Sequence, residues 1–129
     1  MKDNLRPSKN EIIELLLHSI DQFPSYSGRL ELSLQGGVMT NFKRFTSGNT
    51  KILNKEKRNP YARLEREEVI RSIEFALLEI GSWGKLIISF DHEGVIEEIG
   101  WNNTYDLLAG AQLFMLKKRR EGSLKNAQK

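Results

Sequence analysis

Residues able to do chemistry are sparse in this chain of 129 residues. Asp91-His92-Glu93 is the one place where an imidazole stands in a row with two carboxylates, and such a set could hold a metal ion or move a proton. The same residues run into Gly94, and Asp and Gly are favoured in tight turns for their backbone geometry. Neighbours on a tip diverge, and no third ligand stands at metal spacing. The segment therefore reads as a solvated hairpin tip. Glu97 and Glu98 are adjacent, so on a strand they point to opposite faces and cannot act as a pair. Glu97 is expected to share a face with Val95 and Ile99, where partial burial would raise its pKa.

Nucleophilic and nucleotide chemistry have little support. Cysteine is absent, which excludes disulfides, thiolate metal sites and cysteine nucleophiles. Ser25, Ser27, Ser33, Ser47 and Ser82 lack the Gly-x-Ser-x-Gly setting of a nucleophile elbow. Gly36-Gly37 and Gly81-Ser82-Trp83-Gly84 do not lead into a helix carrying a phosphate-loop lysine. The expectation is a protein that is not an enzyme and carries no metal and no cofactor.

Charge offers more. The net charge is only +3, but it is unevenly spread. Residues 43–66 hold eight cations against two acids, residues 67–104 two cations against eight acids, and residues 105–129 six cations against two acids. Lys117-Lys118-Arg119-Arg120 is the densest run. It suits phosphate contact, where each neutralised charge adds salt-dependent affinity, and it equally suits a solvated helix end. Lys43 and Arg44 lie between Phe42 and Phe45, and Lys55, Lys57 and Arg58 follow in a basic connector. Together these cations are the candidate surface for nucleic acid or an acidic partner. Tyr26, Trp83 and Trp101 are the aromatic candidates. Tyr26 and Trp83 could stack on a ligand or base, or plug the corner between helix and sheet.

The elements that must position these residues come in two copies. Ile12, Ile13, Leu16, Ile20, Phe23, Tyr26, Gly28, Leu30, Leu32, Leu34, Gly37 and Val38 match, in order, Val69, Ile70, Ile73, Leu77, Ile80, Trp83, Gly84, Leu86, Ile88, Phe90, Gly94 and Val95. Self-similarity in fixed order signals a repeated unit. In the first copy, Ser8 and Glu11 form a capping-box pattern, an apolar stripe at helical spacing follows, and Pro24 ends the helix. Leu30, Leu32 and Leu34 alternate as in a half-buried strand, and Gly36-Gly37 signals a tight hairpin. A short edge strand is expected at 50–53. In the second copy, Asn59-Pro60 predicts a helix start and Gly81 its end. A third helix is expected from about Tyr105 to Arg120, with Leu107, Leu108, Ala111, Phe114 and Met115 on its apolar side. It should close the core or supply a dimer contact. Residues 121–129 should be loose.

Each unit resembles the small YezD-like family of uncharacterised bacterial proteins, through Gly84, Leu86, Ile88, Gly94, Val95 and Ile99 and, in the first copy, Gly28, Leu30, Leu32, Gly37 and Val38. The resemblance covers about half of the chain and implies a helix followed by a hairpin. It carries no activity with it.

The expected fold is α+β. Two helix–hairpin repeats, 8–53 and 59–101, form a mostly antiparallel sheet of four or five strands with helices on one face. Residues 103–129 add the last helix and a basic tail, and the whole is one domain. No apolar run reaches the length of a membrane span and the N-terminus lacks a signal-peptide pattern, so a cytoplasmic setting without membrane contact is expected. The functional expectation is a protein-interaction or adaptor module that pairs with itself or another protein. A homodimer would match the acidic second repeat to the basic connector. The alternative is a nucleic-acid-binding accessory protein.

Overall fold

The computed structural model describes residues 6–48, 59–103 and 107–127, the last five by their backbone alone. The order is α1 (Lys9–Asp21), β1 (Ser27–Gln35), β2 (Val38–Ser47), α2 (Arg66–Ile80), β3 (Trp83–Phe90), β4 (Ile96–Asn103) and α3 (Leu108–Ala127). The order helix–strand–strand therefore occurs twice. The strands form one antiparallel sheet in the order β2-β1-β3-β4. Four strands are present among the described residues, and the edge strand expected at 50–53 lies outside them.

The sequence explains each element. Ser8 Oγ accepts from the Glu11 N–H while the Glu11 carboxylate accepts from the Ser8 N–H, so α1 opens on a complete capping box. Gly36 and Gly37, with φ of 61° and 78°, make the tight β1–β2 turn. Gly81, with φ of 62°, ends α2. Alternation then fixes the core. Leu30, Leu32 and Leu34 of β1 and Leu86, Ile88 and Phe90 of β3 are all buried. Leu30 pairs with Ile88 and Leu32 with Leu86, which puts all six on one face. Ile12, Leu16 and Ile20 of α1 and Val69, Ile73, Ala76 and Ile80 of α2 join them in a single cluster. Phe23 seals the end of α1 by stacking on Phe90, with centroids 3.7 Å apart.

Three expectations are corrected. The second helix begins at Arg66, not at Asn59-Pro60. Asn59 Oδ1 accepts from the Tyr61 N–H at 3.0 Å, forming a turn, and the Pro60 carbonyl accepts from the Ile96 N–H of β4 at 3.0 Å. That carbonyl is thereby tied to the sheet. Glu97 does not face the core with Val95 and Ile99. Ser89 pairs with Glu98 and Phe90 with Ile96, so Glu97 is the extra residue of a β-bulge, and the buried side chain is Ile96. The third helix neither closes the core nor stops at Arg120. It starts at Leu108, runs to Ala127, and buries none of its described side chains.

The two helix–hairpin units interlock. Thr40 is the extra residue of a bulge in β2, at the place that Glu97 takes in β4. The Gly37 N–H at one hairpin tip donates to the Ser82 carbonyl at 3.0 Å, after the helix of the other copy. Gly94 at the second tip lies against Pro24 and Ser25, after the first helix. Gly94 also holds φ at 78°, and a Cβ there would stand 2.5 Å from the Pro24 carbonyl oxygen. Gly94→Ala should therefore lower the unfolding free energy by about 1–3 kcal/mol. Gly100→Ala, with open space around the added carbon, should stay within about 0.5 kcal/mol. Urea unfolding of both variants checks the contrast.

Candidate interaction surface

Among the described residues Asp91, which sequence reading places on a solvated tip, is a buried charged side chain. It is only 5% exposed. Its Oδ1 accepts from the backbone N–H groups of Glu93 at 2.8 Å and Val95 at 3.0 Å. Its Oδ2 stands 3.0 Å from Arg63 Nη2, and a second guanidinium nitrogen lies 3.7 Å from Glu97. Burial pushes the Asp91 pKa up. The Val95 and Glu93 donors, Arg63 and His92 push it down and prevail, so the carboxyl titrates below its ordinary range. Asp91 thus organises the β3–β4 turn and ties it to the segment ahead of α2. Arg6, just ahead of α1, makes the matching tie, donating to the Gly36 carbonyl at 3.1 Å in the first hairpin turn. Arg6 and Arg63 were both missed in the sequence. Their corresponding places ahead of the two helices are the signal that could have found them. No group of three metal-ligating side chains occurs among the described residues.

The aromatic candidates are dispersed. Tyr26 precedes the start of β1, whereas Trp83 pairs with Gln35 at its end. The two sit at opposite ends of the β1–β3 ladder and cannot stack on one ligand. Neither plugs a buried corner: Tyr26 is 43% exposed and Trp83 54%. Phe23 and Ile80, both buried, hold those positions instead. The Tyr26 ring lies against Gly48 and the Trp83 ring against Gly36. Trp101 faces the helix side of the sheet, where it meets Phe75 of α2 edge-on at 5.3 Å.

The basic candidates are not gathered on one described surface. Lys43 pairs with Glu31 and Arg44 with Leu30, so their side chains leave opposite faces of β2. Arg44 lines a groove of about 330 Å³ with His18, Ser19, Gln22 and Phe42. On the other face, Glu31 is the hub of a small ion cluster. Arg29 Nε lies 2.7 Å from one carboxylate oxygen and Lys85 Nζ 3.5 Å from the other. The hydrogen bond from Arg29 holds the Glu31 carboxyl below its usual range, with help from Lys85. Lys55, Lys57 and Arg58 lie outside the described residues. Lys117, Lys118, Arg119 and Arg120 are all exposed on α3, and Lys118 stands over the Phe114 ring at 5.6 Å.

Apolar exposure is concentrated on that same helix. Leu107 and Leu108 at its start, and then Leu113, Phe114, Met115 and Leu116, are all exposed. Leu108, Ala111, Gln112, Met115, Leu116 and Arg119 line a shallow groove along one side. Contiguous apolar surface of this kind marks an interaction site. No helix among the described residues is long and apolar enough to cross a membrane. Comparison with known protein families, with curated proteins and with solved structures finds no match to this chain.

The Asp91 cluster generates a pH prediction. A carboxyl whose folded pKa lies below its unfolded value stabilises the protein above the unfolded value, and that contribution is lost as pH falls through the folded one. Wild-type stability should therefore fall as pH drops below about 4, and the Asp91→Asn variant should be less stable at neutral pH but flatter across the acid range. Urea midpoints measured between neutral and acid pH check both statements.

Proposed function

We propose that this protein is a non-enzymatic interaction module that associates with itself, and that α3 is its contact element. The observation that carries this reading is the exposure of Leu113, Phe114, Met115 and Leu116 on a helix that buries none of its described side chains. A packed α+β core such as that beneath α1 and α2 has no use for a further apolar helix standing outside it. Water solvates such a helix poorly, and burial against a partner removes that cost. Closed homo-oligomers are the commonest solution for a soluble chain. A single helical contact covers less than a standard interface, so association should be weak and concentration-dependent.

Light scattering across a concentration series tests the reading. The wild type should move from monomer to dimer as concentration rises, and Leu108→Glu with Ala111→Glu should hold the protein monomeric. Those positions are exposed, so circular dichroism should show the sheet and the other helices unchanged. A strict monomer at high concentration and low salt would overturn the proposal.

The four consecutive cations of α3 favour a second reading, contact with a phosphate backbone. Successive helical residues lie about 100° apart, so Lys117 to Arg120 ring the helix with positive charge. Binding would be weak, indifferent to sequence and lost as salt rises. Replacing all four by Gln should abolish a mobility shift seen with the wild type at low salt. No shift by the wild type would remove this reading.

A further inference from the structure

Resting on the self-association reading, the surface that receives α3 can also be located. The outer ridge of α2 carries Glu67 and Glu68 in its first turn, then Arg71, then the exposed Phe75 and Leu78, which are 51% and 72% exposed. Phe75 is backed by Trp101. Leu78 borders a cleft of about 270 Å³ that is also lined by Ile12, Leu34 and Leu77. This second patch of exposed apolar side chains ends in acids at the helix N-terminus. On α3 the order is reversed in sign: an apolar stretch comes first and the cations follow.

We propose that the outer ridge of α2 docks α3 of a second copy, antiparallel, and that the exchange is reciprocal. The pairing follows from residue spacing. With Leu108 set beside Leu78, Ala111 falls opposite Phe75, Met115 opposite Arg71, Lys118 opposite Glu68 and Arg119 opposite Glu67. Both helices cover that interval in about 16.5 Å, so the apolar ends and the charged ends meet together. The large Phe75 side chain faces the small Ala111, which suits ridge-into-groove packing. Leu108, Ala111, Met115 and Arg119 also lie, with Gln112 and Leu116, along the shallow groove on α3, so charge and surface shape select overlapping faces. A parallel pairing would set the cations beside Leu78 and leave Glu67 and Glu68 unmatched. Because α3 is held off its own core, a second copy supplies the partner ridge. Two-fold exchange forms the contact twice and closes the assembly.

The test uses the full chain and sedimentation equilibrium at low and high salt. Glu67→Lys with Glu68→Lys should weaken the dimer at least tenfold at low salt. Adding Lys118→Glu and Arg119→Glu to that variant should restore affinity to within about threefold of the wild type, as expected of a directly paired set of charges. Phe75→Glu should abolish the dimer while circular dichroism remains unchanged. A wild-type dimer that is indifferent to the α2 substitutions overturns this inference and leaves self-association standing. A wild type that is monomeric throughout overturns self-association itself. Charge reversals that alter thermal stability in a monomer, with recovery in the fourfold variant, would place α3 on its own α2 and overturn the exchange.

Discussion

Everything in this molecule hangs on the antiparallel ladder between β1 and β3. Each helix–hairpin unit has one apolar sheet face and one apolar helix stripe, too little to be stable alone. The ladder joins the two units edge to edge, with Leu30 against Ile88 and Leu32 against Leu86. That register sends the alternating apolar residues of both hairpins to the same side. The two helices then share one core rather than each covering its own. A slip of one residue would turn this apolar set towards water.

The junction is reinforced at both ends by the same device. Each hairpin tip reaches the backbone that follows the helix of the other copy, Gly37 at Ser82 and Gly94 at Pro24 and Ser25. An arginine ahead of each helix, Arg6 or Arg63, ties down the hairpin turn of its own copy. The two helix–hairpin units nevertheless differ in chemistry here. The first tip is held through backbone groups of Gly36 and Gly37, whereas the second is held by a buried carboxylate and its ion pair. Their net effect is alike: a turn pinned to the loop beneath it.

Local chemistry made much of this legible from the residues alone. The Ser8–Glu11 capping box, the Gly36-Gly37 turn and the alternation of Leu86, Ile88 and Phe90 each specify conformation within a few residues. What was not legible depends on distant contacts. Asn59-Pro60 has the pattern of a helix start, but its groups serve a turn and a bond to Ile96. Glu97 breaks the alternation because a bulge inserts there, and strand periodicity does not announce a bulge. Asp91 resembles any turn aspartate until Arg63, far away in sequence, is brought beside it. For α3, helical spacing of apolar residues predicts a helix but not what covers it. Tyr26 and Trp83 stand at equivalent places in the two copies, yet an antiparallel ladder sends equivalent places to opposite ends.

The bulges at Thr40 and Glu97 have a consequence beyond register. Both fall on the outermost strands among the described residues, β2 and β4, where a margin could template a neighbouring chain. An interrupted margin offers no long, regular row of donors and acceptors, and β4 adds the charges of Glu97 and Glu98. Strand-by-strand growth into fibrils is thereby discouraged at both borders. A chain that brings copies of itself together through helices is guarded against doing so through its sheet.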